Sequence, residues 1–353
     1  MPVDRRLRRL GALAFALLPL LTPGCGLAAA IAVPLITDAI DGDNDDGGDP
    51  TILDVRNDAA SLDAIVAVHV ARVDGTHAPY SYVVNEPPGD GKSLRNIFDA
   101  GPHWVRVVYA SGWRSRARAI TVVKDDTVTI SFLHAAADLA AMAGTWFGAT
   151  QAAGGAPHTY ALTLDASGQA GARTVDGVAD AATGTLAETS EGVYRVSWND
   201  GTVVALVSDG SHTHAGLLGD DGLAGALQKG ASAPLPTGVD ADVVGSWAGT
   251  QVRFTGATLT PSDVDAANAT VSAQQHWDGT DGAGDGTNGV SPLLVTVPAY
   301  LTYGGDAESD TAVALDQSMW LSADRTFAFV RLTPSAPGVF PDAGIFQILD
   351  LAP

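Results

Sequence analysis

One short motif occurs twice in this chain, and it constrains the fold more than any other feature of the sequence. Gly-Thr-Trp-Phe-Gly at residues 144–148 recurs as Gly-Ser-Trp-Ala-Gly at residues 245–249. Further along, Leu206–Leu217 aligns without gaps to Leu321–Leu332, so the order of the segments is preserved. Repetition of this kind indicates two copies of one unit, built either as two β-meanders or as two halves of one barrel.

The composition points to strands along most of the chain. Its 353 residues include 40 glycines, and short β-branched runs alternate with glycine-containing turns. This pattern predicts an all-β protein. We expect an immunoglobulin-like sandwich over residues 51–134, a connecting helix at 135–143, and a duplicated β-meander or barrel module at 144–231 and 238–353. Six strands are predicted in the sandwich: Ile52–Arg56, Ala64–Val73, Tyr80–Val84, Trp104–Ala110, Ala117–Val123 and Thr127–Phe132.

The N-terminus has the features of an export signal. Four arginines precede the apolar run Leu10–Leu21, which is followed by Thr-Pro-Gly and then Cys25, the only cysteine of the chain. A charged start, an apolar stretch and small residues at its end are typical of such signals. The segment resembles the lipobox of bacterial lipoproteins. That resemblance implies removal of residues 1–24 and a lipid on Cys25, which would anchor the protein in the cell envelope, at the outer membrane or the periplasmic face.

Residues 25–50 are predicted to form the acylated end and an acidic, disordered tether, because Thr37–Pro50 is rich in aspartate and glycine and poor in apolar residues. Two alternatives to the lipid anchor stay open. One is plain secretion, and the other is an uncleaved membrane helix over residues 10–36, which prolines and a glycine interrupt.

The formal net charge of −21 restricts the partners. Such a surface repels nucleic acid, so DNA or RNA binding is not expected. The expected partners are the membrane, through the lipid, and an envelope protein or polysaccharide. Arg114, Arg116 and Arg118 share one face if their segment is extended. They could dock an anionic polymer or the acidic part of the same chain, or simply form an exposed strand face.

The repeated motif also suggests what the two copies enclose. Gly-Thr-Trp-x-Gly resembles the first strand of lipocalin-like barrels, in which a tryptophan closes one barrel end. This resemblance implies an apolar ligand cavity lined by residues such as Trp146, Trp198 and Trp247. The interpretation we favour is that Trp146 and Trp247 fill the core at the start of a sheet.

Two histidines offer a candidate metal site. His212 and His214 would face the same side of a strand, and Asp209 could be a third ligand. The gapless alignment of the repeat places Phe327 and Phe329 at the matching positions. We therefore favour packing positions for both histidines over metal binding.

The second copy is longer than the first, and we expect its insertion around His276–Gly289. Asp278, Asp281 and Asp285 in this stretch could gather a calcium ion through oxygen ligands. A solvated loop is the favoured interpretation, so no cofactor is expected and calcium stays the alternative.

The sequence contains no Gly-x-Ser-x-Gly elbow and no His-Glu-x-x-His pair. Gly91-Lys92-Ser93 ends like a phosphate loop, but two prolines precede it and remove amides that would hold the anion, so we predict a polar turn. No catalytic residue is predicted. The expected function is a lipid-anchored envelope protein with a non-enzymatic binding or scaffolding role. The alternatives are a lipocalin-like carrier of an apolar ligand and, third, an envelope hydrolase.

Overall fold

The computed structural model describes residues 51–72, 80–95, 100–152, 156–230, 244–255, 259–271, 277–281, 286–288, 294–297, 302–309, 314–322, 324–334 and 345–351. The predictions for Cys25, for the acidic tether and for Asp285 lie outside these residues. Within them, no helix combines the length and the apolar composition needed to cross a bilayer. The chain is all-β, as predicted, with one short helix in the described part.

The first seven strands form two small sheets around one core. They are β1 (Ile52–Asn57), β2 (Ile65–Arg72), β3 (Tyr80–Glu86), β4 (Gly91–Arg95), β5 (Gly101–Tyr109), β6 (Arg118–Val122) and β7 (Thr127–Phe132). One sheet has the order β4-β1-β7 and the other the order β3-β2-β5-β6. Leu53 from the first sheet and Val68 and Val107 from the second belong to the same buried cluster.

The strand order departs from that of an immunoglobulin-like sandwich. In that fold the first two strands share a sheet, whereas here β1 and β2 lie in different sheets and β1 pairs with β7 in parallel. The side-chain amide of Asn57 holds the crossover between them, donating to the carbonyls of Asp63 and Glu86 at 2.9 Å each. The structure therefore shows two packed sheets with a different topology.

The six strands predicted in this domain are all present, with ends that differ by a few residues. The strand that sequence reasoning missed is β4, part of which we had assigned to a polar turn. Its burial pattern explains the omission, because Leu94 is its only buried residue and the other four are exposed. An edge strand with one apolar side chain gives no alternating pattern to detect.

The first copy of the repeat follows a four-residue helix, α1 (Leu139–Met142). Its strands are β8 (Gly144–Gln151), β9 (Pro157–Leu164), β10 (Gln169–Val175), β11 (Val178–Asp180), β12 (Gly184–Ser190), β13 (Val193–Trp198), β14 (Val203–Ser208), β15 (His214–Gly219) and β16 (Ala224–Lys229). Because β9 also pairs with β10, eight of these strands close into an antiparallel barrel, and β11 adds to β10 outside the ring. We call this the first barrel.

The interior of the first barrel is apolar and closed at one end by α1. Trp146, Tyr194, Leu206 and Leu217 come from different strands and belong to one buried cluster. Met142 of the helix joins this cluster, and its carbonyl accepts a hydrogen bond from the Trp146 indole at 2.9 Å. The tryptophan of the motif is thus a core residue that also holds the closing helix.

The second copy has the same strand organisation. Its strands are β17 (Gly245–Thr255), β18 (Thr260–Val271), β19 (Trp277–Asp281), β20 (Gly286–Asn288), β21 (Leu294–Val297), β22 (Thr302–Ser309), β23 (Ala314–Leu321), β24 (Phe327–Pro334) and β25 (Ile345–Leu351). A pairing of β20 with β22 completes a hydrogen-bonded ring of eight antiparallel strands, with β21 paired to β22 outside it. We call this ring the second barrel.

A separate apolar cluster joins the two barrels through their outer faces. Along β14, Leu206 points into the first barrel while Ala205 and Val207 point outward, where they pack with residues of the second copy. The first barrel contributes small or medium side chains to this interface, and the second contributes aliphatic and aromatic ones. The aromatic members are Phe254, Trp320, Phe327, Phe329 and Phe346.

The strand ladders show which positions of the two copies are equivalent. His214 pairs with Gln228, which pairs with Phe147 of the motif. In the same way Phe327 pairs with Asp350, which pairs with Ala248 of the second motif.

His214 therefore matches Phe327, and the gapless alignment that matched it with Phe329 was wrong by two residues. A shift of two residues keeps every side chain on its own face, so the hydrophobic pattern could not reveal the error.

Equivalent positions of the two copies meet at the interface. The His214 and Phe327 rings stack with centroids 5.2 Å apart and planes 9° apart. Two residues further along each strand, Gly216 faces Phe329, and a Cβ on Gly216 would lie 1.9 Å from a ring carbon of Phe329. The glycine is required here because no side chain fits between the strand and the ring.

We predict that Gly216→Ala destabilises the protein by about 1–3 kcal/mol, because the added methyl group overpacks the interface. Urea denaturation followed by tryptophan fluorescence measures the effect. Gly171→Ala is the matched control, since a Cβ there makes ordinary contacts at 3.7 Å and beyond. Equal stability of the two variants would contradict the assigned packing.

Candidate functional site

A cluster of ionisable side chains lies where the two barrels meet. The turn between β14 and β15 supplies Asp209 and leads into His214, and the turn between β23 and β24 supplies Asp324. Asp350 of β25 completes the set. We call these four residues the junction cluster. It forms at this place because the stacked positions His214 and Phe327 bring the two turns together.

The imidazole of His214 lies between two carboxylates. Its Nδ1 is 3.1 Å from Asp209 Oδ2, and its Nε2 is 2.9 Å from Asp324 Oδ2. A neutral imidazole has only one N–H to donate. Burial opposes a charge on this ring, but the hydrogen bonds to Asp209 and Asp324 outweigh burial and raise the pKa of His214. In its protonated form the ring donates to both carboxylates and ties one barrel to the other.

Asp209 is fixed by its own turn as well as by His214. Its carboxylate accepts hydrogen bonds from the Ser211 hydroxyl at 2.6 Å and from the Thr213 amide at 2.9 Å. Burial alone would raise the pKa of Asp209, but these hydrogen bonds and that of His214 lower it strongly. Asp209 is therefore a carboxylate held ionised inside the interface.

Asp324 has the same kind of support in the second copy. The hydroxyls of Ser322 and Thr326 donate to its Oδ1 at 2.5 and 2.9 Å. On the other oxygen, the amide nitrogen of Gln228 donates at 3.1 Å beside His214. Burial works against ionisation, but these bonds outweigh it and lower the pKa of Asp324.

Asp350 differs from the other two carboxylates. Its side chain is exposed, and no hydrogen bond or ion pair to it is found among the described residues. Although this side chain is exposed, protein atoms around it displace part of its water, and this desolvation together with the nearby charge of Asp209 raises the pKa of Asp350. One ligand atom each from Asp209, His214 and Asp350 lie within 4.8 Å of one another, which is a spacing that a metal ion could bridge.

Arg116 links the two-sheet domain to the first barrel, next to the turn that carries Asp209. Its backbone amide donates to Glu191 Oε2 at 2.9 Å, its Nε donates to the Glu191 carbonyl at 3.3 Å, and its Nη2 donates to the Ser208 carbonyl. Burial lowers the pKa of Arg116, while Glu191 and other acidic groups oppose that shift. Arg118 also reaches Glu191, at 3.7 Å. Two of the three arginines thus dock on an acidic part of the same chain.

The structure separates the two predicted histidine ligands. His214 begins β15, but His212 lies in the preceding turn with a φ of 56°. Its ring stands 6.1 Å from that of Tyr194, edge to face, and its Nδ1 is 3.3 Å from the Ser208 hydroxyl. The expectation that both histidines face one side of a strand was wrong, because the strand starts only at His214.

The other residues that the sequence analysis singled out are the aspartates of the insertion and three tryptophans. Asp278 and Asp281 lie on β19 within the insertion, so the stretch predicted as a solvated loop includes a paired strand. Trp146 and Trp247 are buried, which agrees with their interpretation as core residues, and Trp198, named only as a possible cavity residue, is buried as well. Sequence reasoning missed Asp350, and it found Asp324 only as the repeat partner of Asp209.

Comparisons with known proteins do not assign the chain to a family. No family model matches it, and no curated protein matches it. Among solved structures, it is similar to a crystal structure of a protein of unknown function from the DUF3598 family of Nostoc punctiforme. The identity is 11%, with 61% of this chain and 99% of the other covered and a TM-score of 0.24. A likeness at that TM-score carries no argument about fold or function.

We predict that His214 and Asp324 stabilise the protein jointly. A double-mutant cycle of His214→Phe and Asp324→Asn at pH 6 should give a coupling energy of about 0.5–1.5 kcal/mol, measured by urea denaturation. The exposed pair His158–Asp176, at 2.6 Å, is the control. Its coupling should be smaller because water screens it. Coupling at the junction no larger than at the control would contradict a tie between the barrels.

Proposed function

We propose that this chain is a lipid-anchored scaffold of the bacterial cell envelope, which binds partners through its outer surfaces and performs no chemistry. The observation that carries the proposal is the use of its ionisable groups. Arg116 ties the two-sheet domain to the first barrel, and His214 ties the first barrel to the second. Because the side chains of Arg116 and His214 form these contacts between modules, we do not assign them a role in acting on a substrate.

The two-sheet domain is the part we assign to presenting a binding surface. It precedes the barrels in the chain and follows the predicted tether. The acidic tether would hold the folded part away from an anionic membrane surface. The bound partner would be an envelope protein or a polysaccharide.

The anchor is tested by metabolic labelling with a palmitate analogue. The wild-type protein should incorporate the label and fractionate with membranes, and a Cys25→Ala variant should do neither, because the thiol is the acceptor of the lipid. A label that stays on the Cys25→Ala protein, or a wild-type protein recovered from the cytosol, would contradict the proposal.

A carrier function is the second candidate, and one observation favours it. The Tyr160 hydroxyl and the Trp198 indole N–H are buried in the first barrel without a hydrogen-bond partner among the described residues. Buried polar groups in proteins are normally satisfied, so an interior molecule would account for them.

Titration with a fluorescent fatty acid, read through quenching of tryptophan emission, separates the two functions. A scaffold predicts no saturable binding, whereas a carrier predicts one site whose affinity falls in a Tyr160→Phe variant. Saturable binding that this variant weakens would replace the scaffold by the carrier.

A further inference from the structure

We propose that the junction cluster binds one divalent cation through Asp209, His214 and Asp350, and that the cation bridges the two barrels. The first two ligands come from the first copy and the third comes from the second. Their ligand atoms lie within 4.8 Å of one another, and metal–ligand bonds of about 2 Å would require only small movements of the side chains.

The donor set indicates the class of ion. One imidazole nitrogen with two carboxylate oxygens suits a borderline transition ion such as Zn²⁺, whereas Ca²⁺ takes six or more oxygen ligands. Asp209 is already oriented by Ser211 and Thr213, which gives the first ligand the hydrogen-bonded support that metal carboxylates have. Asp350 is exposed, so an ion has a path to the cluster.

Two side chains at this junction carry oxygen atoms that lack a donor. The Asp350 carboxylate has no hydrogen bond or ion pair among the described residues. The side-chain oxygen of Gln228 is buried and also without a partner. Gln228 lies directly opposite His214 in the strand ladder, and its nitrogen is already used on Asp324. A cation would satisfy unpaired oxygens where a neutral partner is missing.

The charges of the junction cluster also favour a bound cation. Asp209, Asp324 and Asp350 place three carboxylates around one imidazole, while the guanidinium of Arg116 donates to the carbonyls of Ser208 and Glu191. A divalent cation among these carboxylates would replace one proton of the His214 ring, so that one ring nitrogen coordinates the ion and the other still donates to a carboxylate.

The second copy shows that packing alone does not need these residues. The positions equivalent to Asp209 and His214 are Ser322 and Phe327, since each pair closes its hairpin turn through a backbone hydrogen bond. Beside the cluster, an apolar group of side chains from both copies packs in the same interface. A buried charged cluster is seldom more stabilising than apolar side chains of the same volume, so the presence of Asp209 and His214 in the first copy alone calls for a role other than packing.

The experiment uses the full chain, purified in detergent and stripped of metal with EDTA. Isothermal titration with ZnCl₂ should show one saturable site, and zinc should raise the unfolding temperature because it binds only the folded state. Asp350→Asn should weaken binding by at least about tenfold, and this exposed position leaves the fold intact. His214→Phe, which installs the side chain of the second copy, should abolish the site.

Asp176→Asn is the matched control, because Asp176 pairs with His158 on the surface of the same barrel without a third ligand. It should bind zinc like the wild type. Absence of a saturable site, equal affinity in the Asp350→Asn and Asp176→Asn variants, or a preference for CaCl₂ that survives His214→Phe would each overturn the proposal. None of these outcomes depends on whether Cys25 carries a lipid.

Discussion

The packing of aromatic rings from one copy onto a glycine-bearing strand of the other holds the structure together. Gly216 lets the backbone of the first barrel approach Phe329 of the second. Two residues earlier on each strand, His214 stacks on Phe327. A ring of strands buries its interior by itself, so joining two rings requires an outer face that is also apolar. Alternation along β14 provides this face, with one set of residues pointing inward and the other outward.

Placing the junction cluster inside such an interface has consequences for both barrels. Charged groups removed from water must be paired, and His214 is paired with one carboxylate of its own copy and one of the other. The same turn region receives Arg116 from the two-sheet domain through Ser208. The segment from Ser208 to His214 therefore makes polar contacts with both neighbouring modules.

The sequence predicted most strands of the first domain but only part of the candidate site. Strand positions in the first domain followed from alternating residues, with the exception of β4, whose single buried side chain left no pattern. Asp209 and His214 were recognised as potential ligands, but with His212, which the turn places elsewhere. Asp350 carried no signal, because an aspartate near the C-terminus of an acidic chain resembles many others.

The sequence by itself determined an all-β chain with two copies of one module, since period-two alternation and repetition are properties of the order of residues. Only the tertiary structure decided that each copy closes its own ring, that equivalent strands meet face to face, and that His214 matches Phe327. The reason is that pairing register and contacts between faces depend on distances across the fold. A shift of two residues leaves the local pattern unchanged but changes which side chains meet.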